Sequence, residues 1–128
     1  MKLLLDTHAL LWFLEGNSRL SAHARAAISD LANTRLFSVA GAWEIAIKVS
    51  LGKLVLTVPF SRLVPGELEA NGISLQPIRS EHMNATIVLP FHHRDPFDRM
   101  LVAQAAVEGA VVVSSDSILD AYGVHRIW

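Results

Sequence analysis

Two short runs restrict this chain more than its overall composition does. KLLLD at residues 2–6 and AVVVSSD at residues 110–116 each hold three consecutive apolar side chains with no polar residue among them. A strand with one face in water alternates apolar and polar residues, because successive side chains point to opposite faces. A strand covered on both faces has no such alternation, and strands of that kind belong to parallel sheets layered between helices. Each run also ends on an aspartate, Asp6 directly and Asp116 after two serines.

The remaining pattern agrees with an α/β sandwich around a mostly parallel central sheet, formed as a single domain over residues 1–128. Lys2–Leu5 reads as a strand, followed by a helix to about Glu15 that Gly16-Asn17 ends. Ser21 caps a helix to about Leu31. Leu36–Val39 is a short strand and Gly41–Leu51 a helix closed by Gly52. Leu54–Val58 is read as a brief extended segment before Pro59, Phe60–Ala70 as a helix ended by Asn71-Gly72, and Ile73–Gln76 as a strand. Ser80–Leu89 is a helix before the loop Pro90–Asp95, and Pro96–Glu108 is a helix closed by Gly109. Ala110–Ser114 is a strand, Ile118–Tyr122 a short helix, and His125–Trp128 the last strand.

Composition excludes some chemistry. There is no cysteine, hence no disulfide framework and no thiolate metal site. Hydrophobic residues make up 52%, yet no run approaches the roughly 18 apolar residues of a membrane span. The opening residues lack a signal peptide's charged start and cleavage site, so a cytoplasmic chain with no membrane attachment is expected. The apolar surplus points instead to a subunit or partner interface. The net charge of −1 lacks the basic excess usual for proteins that grip phosphates. Acids gathered in a metal site would lower that total while leaving basic residues free elsewhere.

Four carboxylates stand where chemistry and structure compete for them. Asp6 and Asp116 suit helix caps, but they also end two buried strands at one edge of one sheet, where open α/β proteins bind ligands. If those strands are neighbours, the two charges repel unless a cation lies between them. Glu44 precedes Lys48 by four residues, the spacing of a surface ion pair. The helix holding them is apolar around most of its circumference, which implies burial and a need for a partner or a metal. In DPFDR, Asp95 at the N-cap and Pro96 at the first helical position make a helix start, leaving Asp98 as the better ligand candidate. Three Asp and one Glu form a hard-oxygen set suited to Mg²⁺ or Mn²⁺.

These stretches also resemble a known family. LLLDTHALLW at 3–12, SVAGAWEIAIK at 38–48, DPFDRMLVAQA at 95–105 and VVVSSD at 111–116 are similar, in order and spacing, to the motifs of PIN domains, specifically the VapC-type toxins of type II toxin–antitoxin systems. The resemblance implies a PIN-like α/β/α sandwich in which Asp6, Glu44, Asp98 and Asp116 bind Mg²⁺ or Mn²⁺. The implied reaction is hydrolysis of RNA phosphodiesters to 5′-phosphate and 3′-hydroxyl ends. A homodimer and a cognate VapB-type antitoxin are implied as partners. Thr7 and Ser114 fall where the family carries hydroxyl residues beside its acids. Asp95 and Asp120 are additional acids, candidates to orient ligands or water or to replace a neighbouring ligand.

Other residues are weighed in the same way. Lys48 could orient Glu44 or hold phosphate, and Arg94 and Arg99 are candidates for RNA phosphates. Adjacent side chains in an extended loop point apart, so His92 and His93 do not readily share one ion and are read as a solvated loop. Trp12, Trp43 and Trp128 are read as core or interface residues. The competing functions are a phosphoryl-transfer domain with an aspartyl nucleophile and a non-catalytic cation- or RNA-binding module. His8 weakens the first, because haloacid-dehalogenase-like phosphatases carry a second Asp there.

Overall fold

The computed structural model describes all 128 residues. Five strands form one sheet: β1 (Lys2–Leu5), β2 (Thr34–Ser38), β3 (Ile73–Gln76), β4 (Val111–Val113) and β5 (Arg126–Ile127). Their order is β3-β2-β1-β4-β5, and every adjacent pair is parallel. Seven helices accompany them: α1 (Thr7–Glu15), α2 (Ala22–Ser29), α3 (Val39–Ser50), α4 (Phe60–Arg62), α5 (Leu68–Ala70), α6 (Ser80–Ile87) and α7 (Pro96–Glu108). A 3₁₀ turn covers Ser117–Tyr122. None of the helices is long and apolar enough to cross a membrane.

The two unbroken apolar runs become the central strand β1 and its neighbour β4, covered on both faces. Leu3, Leu4 and Leu5 are all fully buried, as are Val112 and Val113. Because side chains alternate, Leu3 and Leu5 pack with Leu10, Ile28 and Ile45 in one layer. Leu4 and Val112 pack with Leu101, Val102 and Leu119 in the other. The chain moves from β1 outward to β2 and β3, then returns to place β4 on the other side of β1. That reversal opens a crevice beyond the carboxyl ends of β1 and β4, where both aspartates lie.

Three expectations change. Phe60–Ala70 is not one helix: Val64 leaves helical geometry (φ −122°, ψ 115°), because a following proline disfavours the α region for the residue before it. Residues 54–58 pair with no strand; Leu54, Leu56 and Val58 instead lie against the core edge. Helix α3 is not buried around most of its girth. It buries Ala40, Ala42 and Ile45 and leaves Val39, Trp43 and Val49 exposed, with Trp43 at 63%. Trp43 is therefore no core residue.

Gly41 lets α3 approach β2. A Cβ there would stand 2.7 Å from Cζ of the buried Phe37 ring. Gly41→Ala should therefore lose about 1 kcal/mol in chemical denaturation, since an overpacking cost of about 1–3 kcal/mol outweighs a helix-propensity gain of at most about 1 kcal/mol.

Candidate active site

The backbone places the acids before any side chain is considered. Leu5 registers with Val113, and the Asp6 N–H donates to the Val113 carbonyl at 3.1 Å, so Asp6 leaves the sheet beside the start of the Ser114–Asp116 turn. Helix α3 brings Glu44 to the same opening, and the first turn of α7 brings Asp98. The resulting cleft, about 260 Å³, is lined by Asp6, Thr7, His8, Glu44, Lys48, Asp95, Asp98, Ser114, Ser115 and Asp116, with Leu101 and Leu119 at its floor.

Capping and clustering turn out to be compatible. One oxygen of Asp6 accepts the Ala9 N–H at 2.7 Å, capping α1. One oxygen of Asp116 accepts the Ile118 N–H at 3.0 Å, capping the 3₁₀ turn. Asp95 is the N-cap of α7, taking the N–H groups of Phe97 (2.8 Å) and Asp98 (3.3 Å). A carboxylate has about four lone-pair sites, so a cap leaves capacity for a ligand. Ser114 is buried; its Oγ accepts the Asp116 N–H at 3.1 Å, and its hydroxyl hydrogen-bonds to Asp6. Thr7 donates to Glu44 Oε1 at 2.6 Å, and Lys48 Nζ stands 3.3 Å from Glu44 Oε2. Glu44 is thus ion-paired and at the cleft together.

Burial and mutual repulsion strain the ionised forms. Asp98 is pushed up to about 6, first by burial and next by the charge of Asp95, with Glu44 and Asp116 adding. Burial also raises Asp6, against hydrogen bonds from Ser114 and Ala9. No hydrogen bond to the Asp98 carboxylate offsets its shift. Hard oxygen donors under such repulsion fit a hard divalent cation. No three acidic or histidine side chains yet surround one point in ligand positions, so the carboxylates would have to close in on an ion.

Two expected roles fail. Arg99 is buried, and its guanidinium donates to the carbonyls of Pro90 (2.9 Å), Thr86 (2.8 Å) and Leu89 (3.2 Å). Phe91 covers it at 4.0 Å. Its donors are committed to the α6–α7 loop, not to RNA. Asp120 does not line the cleft; Arg126 binds both of its oxygens, at 2.8 and 2.9 Å, and holds its carboxyl below the usual range. It can neither replace a ligand nor orient water there. Arg94 is exposed on the loop before Asp95.

One residue of the site was read wrongly. His93 turns inward, its Nε2 2.7 Å from Asp116 Oδ2 and its Nδ1 3.0 Å from the Tyr122 hydroxyl, while His92 stays exposed. The opposed directions of adjacent side chains were a signal that one of the two faces the protein. Trp12 and Trp128 pack on each other against the core (5.9 Å between rings), in keeping with their reading.

A parallel α/β/α sandwich of this kind is shared with known proteins. The chain belongs to the PIN domain family, which it matches over residues 3–124. Over 68 residues it is 41% identical to Ribonuclease VapC16 of Mycobacterium tuberculosis, an alignment covering 50% of this chain and 47% of that protein. It thus spans about half the length of that curated relative. Similar folds occur in VapBC2 from Rickettsia felis bound to a promoter DNA fragment (TM-score 0.73, 12% identity, 99% of this chain and 98% of that one). The VapBC-1 structure of nontypeable Haemophilus influenzae is also similar (TM-score 0.66, 13% identity, 99% and 97% covered), as is FitAcB from Neisseria gonorrhoeae (TM-score 0.66, 15% identity, 98% and 96% covered).

The raised Asp98 has a consequence for stability. A carboxyl at about 6 in the fold against an ordinary 3.8 binds its proton more tightly when folded. Its contribution is full below the lower value and lost as pH rises through the upper one. Metal-free Asp98→Asn should therefore melt no higher than wild type near pH 4 and higher than wild type near pH 7; the reverse order would reject an Asp98 destabilised by burial and nearby charge. Arg99→Ala should lose about 2–4 kcal/mol in denaturant melts, because three carbonyls lose a charged donor.

Proposed function

We propose that this chain is a VapC-type toxin, a divalent-metal-dependent endoribonuclease neutralised by a cognate antitoxin. The observation that carries the reading is the meeting of four carboxylates from four separate segments, Asp6, Glu44, Asp98 and Asp116, in one polar cleft at the sheet's switch point. Capping alone gives no reason to bring Glu44 and Asp98, neither of which caps a helix, into the same cleft, where burial first and the charge of Asp95 next push Asp98 up to about 6.

Asp6, Asp98 and Asp116, with Glu44, would hold Mg²⁺ or Mn²⁺. Such an ion supplies a Lewis acid for a phosphate oxygen and lowers the pKa of bound water. Thr7 and Lys48 keep Glu44 directed into the cleft. Ser114 joins Asp6 to the Asp116 turn. Exposed Arg94 is the residue available to an RNA phosphate. Hydrolysis would leave 5′-phosphate and 3′-hydroxyl ends. The partners are a VapB-type antitoxin, as the VapBC structures suggest, and a second copy of the chain. Exposed Val39, Trp43, Ile87, Val88 and Phe91 offer apolar surface for such contacts.

The test is incubation of purified, antitoxin-free protein with structured RNA in Mg²⁺, Mn²⁺ or chelator, beside an identically purified Asp98→Asn sample. We expect metal-dependent cleavage with 5′-phosphate ends. Asp98→Asn should be slower by at least about a hundredfold, the scale of losing one preorganised charge-stabilising group. Cleavage that survives chelation, or is equal in the variant, would sink the reading. No cleavage by a folded, metal-binding protein would favour the non-catalytic module.

A further inference from the structure

We infer that His93 is a positioning residue for Asp116: Tyr122 holds its ring in one tautomer, and Arg99 pins the loop that delivers it. The inference rests on the reading of Asp116 as a carboxylate of the metal site. It is carried by a closed set of hydrogen bonds. The His93 backbone N–H donates to the Tyr122 hydroxyl oxygen at 2.7 Å, and that hydroxyl lies 3.0 Å from His93 Nδ1. Having accepted one proton, the hydroxyl has one of its own to give, and Nδ1 is the acceptor in reach. The ring proton then sits on Nε2, which is 2.7 Å from Asp116 Oδ2.

Asp116 needs this support. It stands at a turn, with its side chain 37% exposed, while the His93 side chain is only 10% exposed. The Ile118 N–H holds Oδ1 at 3.0 Å. A single donor leaves a carboxylate free to swing about that bond. A second donor on Oδ2, from a different part of the chain, fixes its plane and leaves one lone pair on each oxygen directed elsewhere. Asp116 and Tyr122 bracket the same 3₁₀ turn, so His93 clamps both ends of it at once.

The clamp needs a loop that keeps its place. Residues 88–95 join α6 to α7 and carry no regular structure. Arg99, from the first turns of α7, gathers the carbonyls of Thr86, Leu89 and Pro90, and His92 packs edge-on against the Tyr122 ring at 4.9 Å. The loop is therefore anchored on both sides of its apex, with His93 turned toward Asp116. Partners that orient metal-binding carboxylates typically change metal affinity by 10–100-fold when removed.

The experiment measures Mn²⁺ binding to the metal-free protein by electron paramagnetic resonance, without RNA. We compare wild type, His93→Ala, His93→Gln, Asp116→Asn and the Asp116→Asn/His93→Ala double variant. His93→Ala should weaken Mn²⁺ binding by about tenfold or more. His93→Gln, whose side-chain amide can reach the Nε2 position, should recover most of it. In the Asp116→Asn background, His93→Ala should change nothing further. Nitrogen NMR of the unaltered protein should show the Nε2–H tautomer, a readout that needs no variant to fold. Equal Mn²⁺ affinity in His93→Ala and wild type, failure of His93→Gln to recover it, or an Nδ1–H tautomer would overturn the inference. A wild type that follows the expected Mn²⁺ pattern but cuts no RNA supports it and rejects the nuclease reading. A wild type that binds no Mn²⁺ overturns both.

Discussion

The pairing of β1 with β4 is the constraint on which the rest of this structure depends. Both strands are too apolar to leave either face in water, so helices must cover the sheet on both sides and the two strands must occupy its centre. Once they are side by side and parallel, their carboxyl ends coincide. Asp6 then lies hydrogen-bonded by its own backbone to Val113, with Asp116 three residues beyond. The acidic cleft is a consequence of strand burial before it is a consequence of any side-chain contact. Helices α3 and α7 add Glu44, from the second turn of α3, and Asp98, from the first turn of α7, because both helices begin at the same end of the sheet.

The cleft works against its own charge. A cap hydrogen bond stabilises an ionised aspartate, and the positive end of a helix does the same. Asp6, Asp95 and Asp116 each have such a donor. Asp98 lacks one for its carboxylate, and burial first and the charge of Asp95 next push it up to about 6. The arrangement is therefore graded: three acids have a backbone donor on the carboxylate, and Asp98 has none. Such perturbed groups in a cleft mark functional sites more often than structural ones.

Arg99 shows how one residue can serve this site without entering it. From its number it sits beside Asp98, and a basic residue next to an acidic pocket invites assignment to RNA. Its guanidinium points the other way, into the α6–α7 loop, where it donates to the carbonyls of Thr86, in the last turn of α6, and Leu89, just past it. That loop carries His93 to Asp116. The same segment thus joins a purely structural brace to the electrostatics of the site.

The sequence by itself determined the class of fold, the positions of β1, β3 and α7 to the residue, and which four acids to look for at one end of the sheet. Period, caps and unbroken apolar runs are local signals, and a buried strand ending in Asp is visible without neighbours. It did not determine the break at Val64 within the expected Phe60–Ala70 helix, although Pro65 carried the hint. Nor did it determine that Trp43 faces outward while Glu44, one residue on, faces the cleft. Apolar periodicity counts side chains, and only packing decides which of them find a surface to cover. Direction was the other loss. Arg99 and His93 are each aimed by residues well separated in sequence, Thr86 and Tyr122, and Asp120 is taken up by Arg126, six residues on in another element. A hydrogen-bond partner supplied by another element is a property of tertiary geometry, so spacing along the chain can say that one of His92 and His93 turns inward but not which one, nor what it meets.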